Sequence, residues 1–283
     1  MNAAGKPARE SIRDLVRVAL IACALALLPA RALSADSPAA TSCCPIVELR
    51  QYTLYPGERD RLIALFERYF IESQEADGIT AIGQFRVLDD PNRFFWLRGF
   101  ADMQTRATVL HAFYHEPVWQ AHRGTANSML AETDNVLLLH PAHAGSGFSI
   151  ATAARAPLGS SDEPKGLMVA TIYSLGTSTG EKFEGTFEQS IRPVLTDAGA
   201  RILATLSTEH SPNTYPSLPI RDDANVFAWM SCFADEAAYE RYQTVIAADP
   251  RWAKIKETFA NSHMYAPPEV WRLSATPRSA LHC

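Results

Sequence analysis

Apolar residues recur with two different periods along residues 46–140. Residues 46–54 are rich in β-formers and are followed by Pro56 and Gly57, which predicts a strand that ends in a turn. The next apolar side chains are spaced by three and four residues, so they share one face of a predicted helix. They are Leu62, Leu65, Phe66, Tyr69 and Phe70.

The pattern after this helix predicts two strands, two helices and a final strand. The segments are a helix end at Gly78, strands at 79–88 and 94–100, a turn at 89–92, a helix capped by Asp102, a short helix with Trp119 after Pro117, and a strand at 134–140. The order of the first unit is therefore strand, helix, strand, strand, helix, strand.

The same order is predicted again over residues 167–274. The segments are strands at 167–175, 200–207, 225–233 and 269–274, a helix opened by a capping box at 178–181, kinked by Pro193 and ended by Gly199, and a helix capped by Asp235. Residues 141–165 are dense in Ala, Gly, Ser and Pro, which is typical of a linker between two domains.

The two units also share rare residues at constant distances. At an offset of 133 residues, Trp96, Phe100, Ala101, Asp102, Pro117 and Trp119 recur as Trp229, Phe233, Ala234, Asp235, Pro250 and Trp252. At an offset of 121 residues, Tyr52, Phe66 and Gly78 recur as Tyr173, Phe187 and Gly199. This register indicates an internal duplication, and the change of offset gives the second copy about twelve extra residues.

A strand-helix-strand pattern given twice predicts a four-stranded antiparallel sheet with both helices on one face, which is a ferredoxin-like unit. Strands at 94–97 and 136–139 are apolar on both sides, so the other sheet face would be a large exposed apolar patch. We therefore expect an α+β fold in which the two units, 46–140 and 167–274, pack sheet to sheet as one barrel within the chain.

The extra residues of the second copy fall within 209–223, which contains three prolines together with Tyr215 and Leu218. Three interpretations stay open: a lid over the barrel, a surface that contacts a neighbouring subunit, or a plain surface loop. The polar groups of functional interest in this segment are Glu209, His210 and Arg221.

Residues 1–35 differ in character from the rest of the chain. Three arginines precede an apolar run at 18–28, and small residues end the segment at Ala35, which predicts a secretory signal peptide and a periplasmic or secreted protein. An uncleaved amphipathic anchor and lipidation at Cys23 are the alternatives. Cleavage changes the net charge from −5 to −8, because five basic and two acidic residues are lost. So acidic a chain is not expected to bind nucleic acid or a membrane.

Cleavage also leaves four cysteines, Cys43, Cys44, Cys232 and Cys283. An oxidising compartment permits disulfides between them. Because Cys283 is the last residue and Cys43 and Cys44 precede the first strand, we expect a disulfide that joins the two ends. Cys232 lies in a predicted strand and is expected to be a buried free thiol.

Several of these motifs carry a resemblance to a known family. Residues 47–54 followed by Pro56 and Gly57, the Trp96 strand that ends at Asp102, and residues 115–119 resemble the NIPSNAP family of the dimeric α/β-barrel superfamily. The second copy matches through Tyr173, Pro193, Trp229, Asp235 and residues 249–252, but its first strand lacks the Glu-Leu-Arg of the first copy. The resemblance implies the fold and leaves the reaction open.

Candidate ligand groups follow from strand alternation. Glu48, Arg50 and Tyr52 share one face of the first strand, and Trp96 and Arg98 share one face of the third. In the expected barrel the interior is the natural pocket, and arginines among aromatic side chains favour an anionic or quinone-like planar ligand. The other interpretation is that Arg50 pairs with Glu48 and that the aromatic side chains are core.

The second copy makes such a site one-sided, because Thr171 and Ser231 stand where the first copy has Arg50 and Arg98. The candidate ligand-binding residues are Arg50, Tyr52, Trp96, Arg98, Tyr173, Trp229 and Glu209.

Three functions are compatible with these residues. The first is a protein that binds a small apolar or aromatic anion, and the second is the cofactor-independent monooxygenase or isomerase that the resemblance implies, with Arg50, Tyr52, Trp96 and Arg98 in its site. A haem-handling role is third. No cofactor is expected, and no metal, although His111, His115 and His122 would share a face of an unbroken helix. A homodimer is compatible with the family.

Overall fold

The predicted alternation of strands and helices is found in the structure, a computed structural model that describes residue 1 and residues 41–150, 155–176, 180–261 and 267–283. The described residues from 41 onward form one compact unit. The predicted signal peptide, its Cys23 and the first two residues of the predicted capping box, Ser178 and Thr179, lie outside the described residues.

Strands and helices alternate in the expected order. The strands are β1 (Thr41–Ser42), β2 (Ile46–Leu54), β3 (Thr80–Val87), β4 (Arg93–Phe100), β5 (Leu130–Glu132), β6 (Val136–Pro141), β7 (Ser149–Ile150), β8 (Leu167–Ser174), β9 (Arg201–Thr208), β10 (Val226–Phe233) and β11 (Glu269–Ala275). The helices are α1 (Arg59–Leu65), π1 (Phe66–Phe70), α2 (Ile71–Ala76), α3 (Met103–His115), α4 (Pro117–Ser128), α5 (Gly180–Thr186), π2 (Phe187–Ile191), α6 (Arg192–Asp197), α7 (Glu236–Ala248) and α8 (Pro250–Asn261).

Eight of these strands close into one antiparallel barrel. Its order is β2, β4, β3, β11, β8, β10, β9, β6, and β6 pairs with β2 again. Strand β3 of the first half pairs with β11 of the second, and β6 pairs with β9, so each half supplies four strands and hydrogen-bonds to the other at both edges. The expected α+β fold with an intrachain barrel is thus confirmed, and the two sheets are joined rather than merely stacked.

The helices begin and end where the sequence predicts. The Asp102 and Asp235 side chains accept hydrogen bonds from the backbone N–H of Thr105 at 2.6 Å and of Ala238 at 2.7 Å, which confirms both N-caps. Gly78 and Gly199 follow the first helix of each half with φ of 93° and 109°, a conformation that favours glycine. The π-helical turns π1 and π2 were not predicted. Pro193 follows π2, but π1 forms without a proline at the equivalent place, so proline is not their shared cause.

The barrel interior is filled by apolar side chains from all eight strands. Val47 and Leu49 of β2 and Phe95 and Leu97 of β4 pack there against β8–β11 residues such as Met230. The interior is therefore core, and the expected position of a ligand pocket inside the barrel is wrong. Two further apolar clusters lie on the outside of the barrel, one under the helices of each half.

The disulfides also differ from the expectation. Cys43 is bonded to Cys44, and Cys283 is bonded to Cys232 with the two Cα atoms 5.7 Å apart, within the usual range. The expected bond between the chain ends and the free thiol at Cys232 are both wrong, because the C-terminal residues are hydrogen-bonded to β3, with the Leu281 N–H donating to the Ile82 carbonyl, and Cys283 ends at the first residue of β8, Leu167. There the Cys283 side chain lies so close to Gly166 that a Cβ at that glycine would be 2.5 Å from Cys283 Cβ.

None of the helices in the described part of the chain is both long enough and apolar enough to cross a membrane.

Candidate functional site

A cavity of about 370 Å³ lies in the first half, between the outer face of the barrel wall and the helices that cover it. Its floor is formed by side chains of β2 and β4, and its walls by π1, α3, α4 and residues 215–219 of the second half. Nine of the side chains that line the cavity are aromatic, among them Tyr52, Trp96, Tyr114, Trp119 and Tyr215. Its size is in the range of small-molecule sites.

Strand alternation explains why the candidate residues reach this cavity. Val47 and Leu49 face the barrel interior. Because successive side chains of a strand point to opposite faces, Glu48 and Arg50 face the helices. Arg50 is paired with Trp96 on β4, and Glu48 with Arg98, so the same outward face continues across both strands. The prediction that these residues share a face is correct, and that face is the outer one.

The charged side chains of this face form one buried cluster. Glu48 Oε2 lies 2.6 Å from Arg50 Nη1 and 2.7 Å from Arg98 Nε, while Arg106 Nε donates to Glu48 Oε1 at 2.7 Å. All four side chains are at most 1% exposed. One carboxylate therefore faces three guanidinium groups, and the cluster carries a net charge of +2 from its own members.

Burial raises the pKa of the Glu48 carboxyl, but the charges of Arg98, Arg50 and Arg106 lower it by more, so the net pKa is well below its usual value. Glu48 is thus ionised at neutral pH. Burial also raises the pKa of the Tyr52 phenol above its ordinary value, despite the opposing charge of Arg50. The Tyr52 hydroxyl therefore keeps its proton.

Arg50 is the cation of the cluster that lines the cavity. Its Nε donates to the Tyr52 hydroxyl at 2.9 Å and its Nη1 to Glu48, and among the described residues its Nη2 has no hydrogen-bond partner. The guanidinium also lies 5.5 Å from the centroid of the Trp96 ring, within the range of a cation–π contact. One end of a fixed, buried cation is therefore left available to a ligand.

Other side chains that line the cavity also have hydrogen-bond donors. Trp96 Nε1 is buried and has no partner among the described residues, and Trp96 lines the cavity. The Tyr52 hydroxyl accepts from Arg50 and the Tyr114 hydroxyl accepts from Arg98 Nη1 at 3.4 Å, so each phenol has its own hydrogen left to donate. The cavity floor thus presents donors, which match an anionic or carbonyl oxygen.

The connection between β9 and β10, residues 209–225, contributes to this first-half site; we call it the β9–β10 segment. Asn213 Oδ1 accepts from Arg106 Nη1 at 2.9 Å, and the Tyr215 ring stacks on Tyr114 with centroids 5.9 Å apart. Leu218 and Ser217 line the cavity. The segment that the sequence left open as lid, contact surface or plain loop therefore packs on the first half of its own chain.

The second half has no such charged cluster at the equivalent strand and helix positions. Val169, Thr171, Leu195, Ser231 and Tyr239 stand where the first half has Glu48, Arg50, Gln74, Arg98 and Arg106. Its own cavity of about 380 Å³ lies between π2, α6 and α8 and is not lined by these residues.

The structure brings four of the seven candidate residues together, Arg50, Tyr52, Trp96 and Arg98, although Arg98 lies behind the cavity wall. Tyr173 and Trp229 stack on each other in the second half, with centroids 5.4 Å apart, away from this cavity. Glu209 accepts from the backbone N–H of Ser211 at 2.7 Å and does not line the cavity.

Sequence reasoning missed Arg106, Gln74, Tyr114 and Asn213. A signal existed for Arg106, because it falls on the helix face formed by Val109, Leu110 and Phe113, where a charged residue is unexpected unless it is paired. No comparable signal exists for Asn213, which lies 107 residues from its partner Arg106.

The three histidines make two separate ring contacts. His111 and His115 stack with centroids 4.1 Å apart, and His122 stacks on Tyr69. In the part of the chain that the structure describes, no group of three or more His, Cys, Asp or Glu side chains is placed to hold a metal ion.

Comparisons with known proteins agree with this architecture. The NIPSNAP family model matches residues 47–143. A proposed monooxygenase from Fusobacterium nucleatum subsp. nucleatum has a TM-score of 0.50 and 8% identity, over 85% of this chain and 98% of that one. A proposed monooxygenase from Lactobacillus acidophilus has a TM-score of 0.49 and 15% identity, over 84% and 98% of the two chains.

A NIPSNAP family protein from Agrobacterium tumefaciens covers 34% of this chain with 91% of its own length, at 23% identity and a TM-score of 0.32. No curated protein is significantly similar to the chain. The residues matched by the family model include all of β4 and all of β2 except Ile46. The Fusobacterium structure supports the barrel fold, and its low identity extends no activity to this chain.

Proposed function

We propose that this protein binds a small aromatic or apolar anion in the first-half cavity. The observation that carries the proposal is Arg50, which is buried, lines the cavity and has a terminal nitrogen without a partner among the described residues. A ligand carboxylate or a comparable oxyanion at this nitrogen would complete its hydrogen bonds, and the aromatic walls would pack against the rest of the ligand.

The charge balance of the cluster supports the same ligand class. Three buried guanidinium groups against one carboxylate leave two positive charges that the cluster itself does not neutralise. Uncompensated buried charge is costly, so a bound anion would stabilise the site more than a neutral ligand of equal size. The donors at Trp96 Nε1, Tyr52 and Tyr114 favour an acceptor in the same way.

A pair of matched probes tests this proposal. Naphthalene-2-carboxylate carries the charge, and naphthalene-2-carboxamide has nearly the same shape without it. The purified protein is expected to bind the carboxylate at least about tenfold more tightly, and Arg50→Gln should remove most of this preference, since hydrogen bonds to charged groups contribute about 1.5–3 kcal/mol. Calorimetric titration measures both affinities.

Arg61→Gln is the control, because Arg61 is an exposed arginine of α1 that pairs with Glu58 outside the cavity. It should leave both affinities unchanged. Equal affinity of the wild type for the two probes, or equal loss in the two variants, would refute the proposal. Circular dichroism verifies that Arg50→Gln is folded, as expected because Glu48 keeps two arginine partners.

The oxygenase or isomerase that the resemblance implies stays a second proposal. It is supported by the same donors, which could stabilise an oxyanion formed on a substrate as well as a ligand that is only bound. Once a substrate is found, Tyr52→Phe distinguishes the two functions: unchanged binding with lost turnover is expected of an enzyme, and a change in binding alone of a binding protein.

We infer that the two halves arose by duplication and that the protein is exported. The nine main elements of the second half begin 121 residues after their counterparts up to β9 and 133 residues after them from β10 onward, which supports the duplication. The charge and apolar pattern of residues 1–35 supports export. Amino-terminal sequencing of protein from the periplasm or medium should begin after Ala35, and an intact amino terminus in the cytoplasm would refute export.

A further inference from the structure

The second half contributes part of the wall of the first-half cavity. Tyr215, Ser217, Leu218 and Pro219 line that cavity although their chain segment follows β9. The equivalent connection of the first half, residues 88–92, lines neither of the two cavities described above. The halves therefore differ in a second respect besides their charges: one has the ligand groups, and the other supplies part of the enclosure.

This wall is held in place by hydrogen bonds at both ends. Thr214 Oγ1 donates to the backbone carbonyl of Met103 at 2.9 Å, and the backbone N–H of Arg221 donates to the carbonyl of Val136 at 2.8 Å. Within the segment, Asn213 Nδ2 donates to the carbonyl of Leu218 at 2.8 Å. A wall anchored in this way can exclude a ligand that is too large, whereas a loose loop would yield to it.

Leu218 is the aliphatic side chain of the segment that combines two properties. It lines the cavity, and it also packs against the apolar cluster beneath the first-half helices. Ile220 packs against the same cluster from the same segment but does not line the cavity. The two positions thus separate the shape of the cavity from the anchoring of the segment.

We propose that Leu218 is a specificity-determining residue that sets the size of the aromatic anion accepted by the first-half cavity. The inference rests on the proposed function, since it concerns the same cavity and the same ligand class. The ligand places its acidic group at Arg50 and its ring system against the aromatic walls, and the number of fused rings is limited by the β9–β10 segment.

Two probes of equal charge and different length test the proposal, naphthalene-2-carboxylate with two rings and anthracene-2-carboxylate with three. Leu218→Ala should raise the affinity for the three-ring probe relative to the two-ring probe by about tenfold, a usual effect of a few methylene groups in a ligand pocket. Leu218→Trp should change the same ratio in the opposite direction. Ile220→Ala should leave the ratio within about twofold of the wild type.

The outcomes separate this inference from the one on which it rests. If neither probe depends on Arg50, as judged by Arg50→Gln, the proposed function fails. If both probes depend on Arg50 but Leu218→Ala and Ile220→Ala give the same ratio, the role of Leu218 is overturned and the binding function stands. Thermal unfolding of each variant is compared with the wild type, and Leu218→Trp gives a test of opposite sign if Leu218→Ala does not fold.

Discussion

The two halves of this chain have the same scaffold and different polar side chains between the barrel wall and the helices. In both, a tyrosine of the first strand lies against a tryptophan of the third, at ring centroid distances of 5.8 Å for Tyr52 and Trp96 and 5.4 Å for Tyr173 and Trp229. Next to this pair the first half buries one glutamate and three arginines, and the second half has apolar and small polar residues instead.

The comparison indicates what the fold itself requires. Because the described residues of the second half pack the helices on the barrel wall without a buried ion cluster, the cluster of the first half is not needed for that packing. Buried ion pairs gain little stability over apolar residues of similar volume, since desolvation offsets their attraction. A cluster of such a cost, beside a cavity and with a free donor, supports the proposed ligand binding.

The largest difference between the halves in the effect of a substitution on the free energy of unfolding is expected at Glu48. Glu48→Gln keeps the shape of the side chain but leaves three buried guanidinium groups without a counter-charge, so it should lower the free energy of unfolding by about 3–5 kcal/mol. Ser231→Ala, at the second-half position equivalent to Arg98, should lower it by about 1 kcal/mol or less. Urea unfolding followed by circular dichroism measures both; similar losses would show that the cluster is no more demanding than an ordinary buried residue.

A smaller difference in stability is expected from the disulfides beside the two equivalent strand positions Gly99 and Cys232. At Gly99 the missing side chain makes room for Cys44, whose Sγ would be 2.2 Å from a Cβ there, whereas Cys232 is bonded to Cys283 across 51 residues. Cys283→Ser should therefore lower the free energy of unfolding by about 2–4 kcal/mol, because the disulfide closes a long loop.

Cys43→Ser is the matched comparison, since the bond between Cys43 and Cys44 joins neighbouring residues and constrains almost nothing of the unfolded chain. Its effect should be well below that of Cys283→Ser under non-reducing conditions. A mass of the intact protein that corresponds to four free thiols would contradict the pairing of both bonds.

Substitutions of the equivalent residues Trp96 and Trp229 should differ in their effect on ligand affinity. Trp96→Phe removes a buried N–H donor from the cavity and should weaken naphthalene-2-carboxylate binding about tenfold, the equivalent of one hydrogen bond. Trp229→Phe changes the corresponding residue of the second half and should leave the affinity unchanged. The affinities are compared by calorimetry, and an equal effect of the two substitutions would place the ligand outside the first-half cavity.

Local sequence signals predicted most of this fold, because they act over short distances. The Asp102 and Asp235 caps, the glycines that end the first helix of each half and the alternation of β2 each depend on a few neighbouring residues. The side of the sheet on which the candidate residues lie was predicted wrongly. Alternation shows that Glu48 and Arg50 face the same way, but it does not show whether that way is the barrel interior or the helices.

The contacts that complete the site could not be predicted from the sequence for a different reason. Asn213 meets Arg106, and Cys283 meets Cys232, only after the halves have closed into one barrel. Arg106 is the exception that could have been found, as a charged residue on an otherwise apolar helix face.

The smallest effect on stability is expected from Tyr173, because its ionisation has no effect at neutral pH. Burial raises the pKa of the Tyr173 phenol to about 12, above the ordinary value of 10.0. Because the unfolded chain then releases this proton at a lower pH than the folded protein, ionisation of Tyr173 leaves the stability unchanged below pH 10 and lowers it as the pH rises toward 12. Tyr173→Phe should therefore unfold like the wild type at pH 7 and lose less stability between pH 10 and 12. Urea unfolding at these pH values tests this, and parallel pH profiles of the two proteins would show that Tyr173 is not buried as described.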